Sequence, residues 1–394
     1  MEVSVIIVNY RVRYFLELCL RSLLKALSDV ESEIIVVDNH SADGSLEELT
    51  PLFPTVTFLG NDENIGFARA NNQALRQAGG NYVLFLNPDT VVPEDFAQHC
   101  LSFLGQTPGV GGLGVRMVDV SGRFLKESRR GFPSPWVAFC RLAGLSALFP
   151  KSRLFSTYYM GYLPADATHP APVLSGACLW VSRAIVNRVG GFDEQFFMYA
   201  EDIDLSYRLG QAGYLNYYLA DTTIVHFKGE STRKDMRYIR QFYKAMSQFR
   251  RKHFHKGLPA PFNITAEAAI WCRAAIVAAI RAIGIGLAGL AGQKAGRREE
   301  TVRTWVTGDI TEAGRLSGML ARTGQRIVVE EQEEAEETIY CEGKEFSFRQ
   351  SIARLEADAP YRHGRQVKFH AAGSRSATGS ADPNGRGETL VFKE

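Results

Sequence analysis

Val3 to Val8 is an almost unbroken run of apolar, largely β-branched residues, the pattern of a strand covered on both faces. Arg13 to Leu27 then changes period, with Phe15, Leu16, Leu20, Leu23, Leu24 and Leu27 on one helical stripe. Ile34 to Val37 predicts a second buried strand ending at Asp38-Asn39, and Val56 to Leu59 a third. A helix over Phe67 to Ala78 leads into a fourth strand, Tyr82 to Leu86, which ends at Asn87-Pro88-Asp89. Strands alternating with helices at this spacing predict βαβ units and a parallel sheet, whose ligand lies at the carboxyl ends of the strands. Here those ends carry Asn9, Asp38-Asn39 and Asn87 to Asp89.

Past Pro93 the period loosens. Residues 119 to 170, with Gly131-Phe132-Pro133-Ser134-Pro135-Trp136 and several further aromatics, read as loops and short helices that shape an acceptor site. Cys178 to Val181 is strand-like, Val189 to Glu194 a tight turn, Ile203 to Gln211 a helix and Thr223 to Phe227 a strand. Together they predict one α/β domain over residues 1–230. Residues 231–292 form a different region. Ten Lys or Arg fall between Lys228 and Lys256, on a helical period through Met236, Ile239, Phe242, Tyr243, Met246 and Phe249. Residues 264–292 are rich in Ala, Ile, Leu and Gly but interrupted by Glu267, Arg273 and Arg281. A membrane span needs about 20 apolar residues, so these helices either lie on a membrane surface or pack on protein. Residues 293–394 carry no clear pattern. The six glutamates at 330–337 read as a solvated face, and the Ser/Gly/Asn-rich tail after Gly373 as disordered.

Composition narrows the class. Of 394 residues, 45% are hydrophobic and 22% charged, which fits a soluble globular protein and excludes a disordered, collagen-like or many-span chain. The 45 Lys and Arg against 43 Asp and Glu leave +2, too little for a surface that binds nucleic acid throughout. That average conceals the basic stretch at 228–256. The six cysteines form no C-x-x-C pair, which argues for a reducing compartment and against a zinc ribbon. Met1-Glu2 leads directly into the first strand without a basic leader, so the expected location is cytoplasmic, and the basic stretch at 228–256 would make it peripheral at the inner face of the cell membrane.

Three places carry candidate chemistry. Asp89 and Asp38 each sit in a turn, where capping is a sufficient explanation, but successive strand ends of a parallel sheet converge on one crevice. Glu201, Asp202 and Asp204 follow the aromatic run Phe196-Phe197-Met198-Tyr199. Three carboxylates so close need water, a metal, a cation or a helix N-terminus facing them. His226 ends a strand, where a histidine near carboxylates suits a metal.

These segments also resemble a known family. Val5-Ile6-Ile7-Val8-Asn9-Tyr10, Val36-Val37-Asp38-Asn39, Asn64-Ile65-Gly66-Phe67, Leu86-Asn87-Pro88-Asp89 and Gly190-Gly191-Phe192-Asp193-Glu194 through Leu205 occur in the order seen in family 2 inverting glycosyltransferases of the GT-A fold. The likeness extends to the bacterial branch that includes many rhamnosyltransferases, and covers residues 1–250. It implies an α/β GT-A-type, mostly parallel sheet flanked by helices, with a C-terminal helical extension. It implies that Asn9, Asp38, Asn64 and Asn87 surround a nucleotide-sugar donor such as dTDP-rhamnose or a UDP-sugar. Asp89, the last residue of a reduced D-x-D-type motif, and His226 would hold Mg²⁺ or Mn²⁺, and Asp202 would be the general base. The implied acceptor is a glycan or a polyprenyl-diphosphate-linked glycan, and the basic segment would meet an anionic membrane surface; no nucleic-acid module accompanies it. Two other readings stay open at this point: a sugar-1-phosphate nucleotidyltransferase and a non-catalytic nucleotide-sugar-binding protein.

Overall fold

Val3, Val5 and Ile7 pack on one side of the first strand and Ile6 and Val8 on the other, which is why that run is apolar at nearly every position. The computed structural model describes residues 1–229, 236–254, 264–265, 267–280, 302–322, 326–328, 335–359, 365–380 and 387–392. In chain order the first region comprises β1 (Val3–Asn9), α1 (Arg13–Ala26), β2 (Ser32–Asp38), α2 (Ser45–Leu52), β3 (Val56–Gly60), α3 (Phe67–Leu75), β4 (Tyr82–Leu86), β5 (Thr90–Val91), α4 (Phe96–Gln106) and β6 (Val110–Val118). It continues with β7 (Arg129–Arg130), α5 (Pro135–Leu142), α6 (Leu145–Leu148), β8 (His169–Pro170), β9 (Val173–Leu174), β10 (Cys178–Ser182), α7 (Arg183–Arg188), α8 (Glu201–Gln211) and β11 (Leu215–His226).

The main sheet runs β3-β2-β1-β4-β10-β6-β11-β5, with β8 on β11. β3, β2, β1 and β4 are parallel, β10 reverses between β4 and β6, and β6 and β11 are parallel again. The sheet is therefore mixed. α1 and α4 cover one face through Leu16, Leu20, Leu23, Phe96 and Cys100. α3 and α8 cover the other through Ala70, Ala74, Leu205 and Leu209. The periodicity gave no sign of α4 or β6. β6 carries Gly111, Gly112 and Gly114, which weaken a strand signal, yet a Cβ at Gly111 would lie 2.7 Å from Tyr214 Cβ.

α9 (Met236–Phe254) realises the basic helical period but not as a free arm. Its Ala245 and Phe249 pack against Phe196, Ala200 and Ile203. Residues 230–235, 255–263 and 281–300, which hold parts of the expected basic and apolar extension, lie outside the described residues. Among the described residues no helix is long and apolar enough to cross a membrane.

The reading of 293–394 as poorly specified, with a disordered tail, is corrected by a second sheet. Its strands are β12 (Arg303–Gly308), β13 (Arg326–Val328), β14 (Glu337–Cys341), β15 (Gln366–His370), β16 (Ser376–Ser380) and β17 (Glu388–Val391). Their order is β13-β12-β14-β15-β16-β17, the first four parallel and the last two antiparallel. Helices Ile310–Arg322 and Phe348–Asp358 pack on it. The tail misleads because β16 reads Ser-Ala-Thr-Gly-Ser, small and polar, yet every residue of it is buried. Backbone pairing with β15 holds it there, and a Cβ on Gly379 would meet the Val367 carbonyl. Glu337 is likewise not solvated: it is buried, pairs with the equally buried Lys368 and accepts from Thr304 Oγ1 at 3.0 Å. Glu336 is exposed, as expected, and residues 330–334 lie outside the described residues.

The two sheets share a core. Phe227, directly after β11, meets Phe15 at 5.0 Å and Phe369 at 5.9 Å between ring centroids. Glu94 accepts the Phe348 and Arg349 amides at 2.8 and 3.0 Å, so a carboxylate from the first region caps a helix of the second.

Candidate active site

Asn9 and Asp38 are paired in register at the ends of β1 and β2, and Asn9 Nδ2 donates to Asp38 Oδ1 at 2.7 Å. The same amide also reaches Ser41 Oγ and Ser45 Oγ, while Asp38 Oδ2 accepts from the Ser41 amide. Asn9 is fully buried and Asp38 5% exposed, and neither lines the cleft above them. The Asn9 side chain faces inward and, with Asp38, holds the loop Asn39–Gly44 beneath the cleft.

The cleft itself has a volume of about 420 Å³ and gathers Asn64, Asn87, Asp89, Asp202 and His226 on one surface. Asn39 joins them, donating to Asn64 Oδ1 at 2.9 Å and accepting from the Ile65 amide at 3.0 Å. Gly66 follows with φ of 88°, and an added Cβ would fall 2.7 Å from the Phe197 carbonyl. That close approach ties the Asn64-Ile65-Gly66-Phe67 turn to the loop ahead of α8, since Phe67 N also donates to Phe197 O at 2.7 Å.

β5 is only two residues long, but it pairs antiparallel with β11 so that Thr90 stands opposite His226. Phe227 N donates to the Asp89 carbonyl at 3.0 Å, closing the pairing around the two side chains. His226 Nε2 lies 3.4 Å from both Asp89 Oδ1 and Asn87 Nδ2. Asp89 is 3% exposed, and its Oδ1 is buried without a hydrogen bond. A buried carboxylate oxygen left unmatched is costly unless a cation completes it, and an Asp oxygen beside an imidazole suits Mg²⁺ or Mn²⁺. Among the described residues no group of three or more His, Cys, Asp or Glu is placed to hold a metal ion.

The three carboxylates at the start of α8 divide into three environments. Tyr199 and Ala200 enter the helix with φ of 70° and 66°, a left-handed pair that turns the first residues of α8 into the cleft. Asp202 accepts from the largely buried Arg130, from the Gly176 amide at 3.2 Å and from the Ile203 amide at 2.8 Å. Burial works against the charge of Arg130, but Asp202 and Tyr158 outweigh it and push the guanidinium pKa up. Asp204 is fully buried and takes Arg208 at 2.7 Å and Lys252 and His253 at 2.6 Å each. Burial opposes its ionisation, yet the charge of Arg208 and the hydrogen bonds from Lys252, His253 and Arg208 hold its pKa below the usual carboxylate range. Asp204 therefore anchors α9 and has no place in the cleft.

Glu201 is the third. Burial, reinforced by the Asp202 carboxylate beside it, pushes its pKa up to about 8, and its Oε2 is buried without a hydrogen bond. Below about 4.5 both folded and unfolded chains carry the proton; between 4.5 and about 8 only the folded chain does, so folding stability falls as pH rises through that window. Glu201→Gln removes the titration. Its thermal midpoint is expected to decline less than that of the parent between those two pH values, and parallel declines would show that Glu201 does not carry the linkage.

Arg130 was not singled out in the sequence, and neither was the pair of Lys228 Nζ and Glu127 Oε1, 2.7 Å apart on the cleft wall. Arg130 sits on the two-residue strand β7, inside the aperiodic segment, where only the charged run Glu127 to Arg130 could have drawn attention.

A mixed α/β sheet with this cleft at its strand ends defines a nucleotide-sugar-dependent glycosyltransferase when joined to the relatives of the chain. The profile described as Glycosyl transferase family 2 matches residues 4–190. An N-acetylglucosaminyl-diphospho-decaprenol L-rhamnosyltransferase of Mycobacterium tuberculosis is 31% identical over 242 residues, spanning 59% of this chain and 78% of that one. Rhamnosyltransferase WbbL of Escherichia coli K12 is 27% identical over 177 residues, spanning 43% of this chain and 63% of its own length. Among solved structures, mannosyltransferase PcManGT from Pyrobaculum calidifontis, in complex with GDP-Man and Mn²⁺, aligns over 91% of this chain and 86% of that chain, at 19% identity and a TM-score of 0.46. The chain belongs to glycosyl transferase family 2, and the nucleotidyltransferase and non-catalytic readings fall away.

Proposed function

We propose that the protein is an inverting, divalent-cation-dependent rhamnosyltransferase that extends a polyprenyl-diphosphate-linked glycan. The observation that carries this reading is one cleft lined by the adjacent Asp89 and His226 together with Asp202. Asn39, Asn64 and Asn87 face the donor, over the loop that Asn9 and Asp38 brace. Asp89 and His226 would hold Mg²⁺ or Mn²⁺, which offsets the charge of the donor diphosphate when bound. Lys228 brings a further cation to the cleft, beside Glu127.

Asp202 takes the proton of the acceptor hydroxyl as that oxygen attacks the anomeric carbon, and the bond from that carbon to the diphosphate oxygen breaks. A single displacement opposite the leaving group inverts the centre. Arg130 and the Gly176 amide orient the Asp202 carboxylate for that step. Rhamnose and the lipid-linked acceptor are supported by the relative that acts on N-acetylglucosaminyl-diphospho-decaprenol, which covers most of its own length. Part of the basic segment is spent within the fold, because Lys252 and His253 bind Asp204 while Arg250 and Arg251 bind Glu267. Arg237, Arg240 and Lys244 remain exposed on α9, spaced to share a face toward an anionic surface.

The test is a thermal-shift panel of dTDP-rhamnose, UDP-sugars and GDP-mannose with and without Mn²⁺, followed by transfer to a short polyprenyl-diphosphate N-acetylglucosamine. Stabilisation by dTDP-rhamnose with Mn²⁺ and an inverted rhamnoside product are expected. Stabilisation by a different donor alone would overturn the sugar assignment.

A further inference from the structure

The segment between Gly131 and Tyr158 leaves the body of the protein at the cleft wall. Gly131 N donates to the Tyr158 carbonyl at 2.8 Å, closing the base of the excursion, and Tyr158 and the preceding Arg130 both line the cleft. Within it α5 turns Val137 and Cys140 inward, at 7% and 1% exposure. The outer face of a helix on a water-bathed surface is ordinarily polar. Here it carries Trp136 and Phe139, 46% and 53% exposed, with their rings stacked at 5.6 Å. Leu148, Phe149 and Leu154 extend the apolar surface at 70%, 46% and 58% exposure. Trp136 Nε1 donates to the Leu154 carbonyl at 3.0 Å, which ties the two halves of the excursion together.

Five large apolar side chains exposed along one short excursion mark a surface that meets something other than water. Its charge identifies the occupant. From Phe132 to Thr157 the sequence has no Asp or Glu but holds Arg141, Lys151 and Arg153, and Lys151 and Arg153 are exposed. Exposed Trp and Phe with Lys and Arg at the rim are the composition of a surface seated in the headgroup region of an anionic bilayer. A second copy docked through the same patch would bring these cations against themselves.

We propose that the 132–157 excursion is a membrane-docking surface that seats the mouth of the cleft on an anionic bilayer. Its purpose rests on the lipid-linked acceptor proposed above, because docking there brings the cleft to the depth at which a lipid-borne diphosphate lies.

The test is co-sedimentation of the full chain with phosphatidylglycerol–phosphatidylcholine vesicles and with pure phosphatidylcholine vesicles, at low and high salt. The parent is expected to partition onto the mixed vesicles. Trp136→Ser combined with Phe149→Ser should lower that partition by at least about tenfold at both salt concentrations, since the apolar contact of each buried aromatic is not screened by salt. Lys151→Glu combined with Arg153→Glu should lower it only on the anionic vesicles and chiefly at low salt. Undiminished partition of both double variants, or no partition by the parent, would overturn the proposal. So would light scattering that finds a parent dimer abolished by the aromatic variant, which would make the patch a self-association surface. Transfer to a lipid-free, water-soluble acceptor should be equal in parent and aromatic variant. If vesicle binding depends on these residues but no polyprenyl-diphosphate acceptor is used, the docking surface stands and the acceptor reading fails.

Discussion

Asp202→Asn is expected to lower sugar transfer by about 10²–10⁴-fold, the usual contribution of a positioned general base, while nucleotide-sugar affinity stays within about twofold of the parent. The amide keeps an acceptor oxygen for Arg130 and Gly176, so the local geometry has a route to survive. What it cannot do is take the acceptor proton. Arg130 is largely buried, its side chain 13% exposed, and its charge would lose its carboxylate partner. Breaking such a pair costs about 3–5 kcal/mol, so transfer must be measured below the thermal midpoint of the variant. Calorimetric titration of the donor separates the two effects, because a misfolded cleft loses donor binding and a missing base does not. Substantial remaining transfer with donor binding intact would move the assignment to Glu201, the other carboxyl on the same wall.

How much of this was legible depended on whether a residue's role follows from its own neighbours in sequence. β1, β2, β4 and α1 came out nearly at their observed bounds, because strands covered on both faces must be apolar throughout and α1 presents one stripe to them. The convergence of Asn87, Asp89, Asp202 and His226 followed from strand-end topology and from the family likeness. β6 and β16 stayed hidden because their glycines and small polar residues serve close backbone packing, which no local periodicity records. The separation of Glu201, Asp202 and Asp204 could not be read either. Asp202 takes Arg130 and Asp204 takes Lys252, partners far away in sequence on β7 and α9, so only tertiary packing separates the roles. The same holds for the basic segment, whose net charge was visible but whose internal neutralisation was not.

Asp89→Ala carries the other large expected effect, and it has two opposite signs. Without substrate, the carboxylate is 3% exposed and its Oδ1 is buried with no hydrogen bond, His226 Nε2 standing off at 3.4 Å, and a buried polar group lacking its hydrogen bond costs about 1–3 kcal/mol. Removing it should leave the ligand-free protein as stable as the parent or more so, read as an equal or higher thermal midpoint. With Mn²⁺ present, donor affinity should fall by at least about 10–100-fold, since losing even an outer partner of a metal ligand costs that much. Donor affinity measured in a chelator should be the same in parent and variant, because the carboxylate acts on the donor through the cation. The parent should gain thermal stability from donor and Mn²⁺ together, and the variant should lose most of that gain. This pattern separates a ligand residue from a structural one: a turn-capping Asp89 would give a less stable free protein and no dependence on Mn²⁺. Equal donor affinity in parent and variant with Mn²⁺ and without it would remove Asp89 from the metal site and leave the reduced motif as turn chemistry alone.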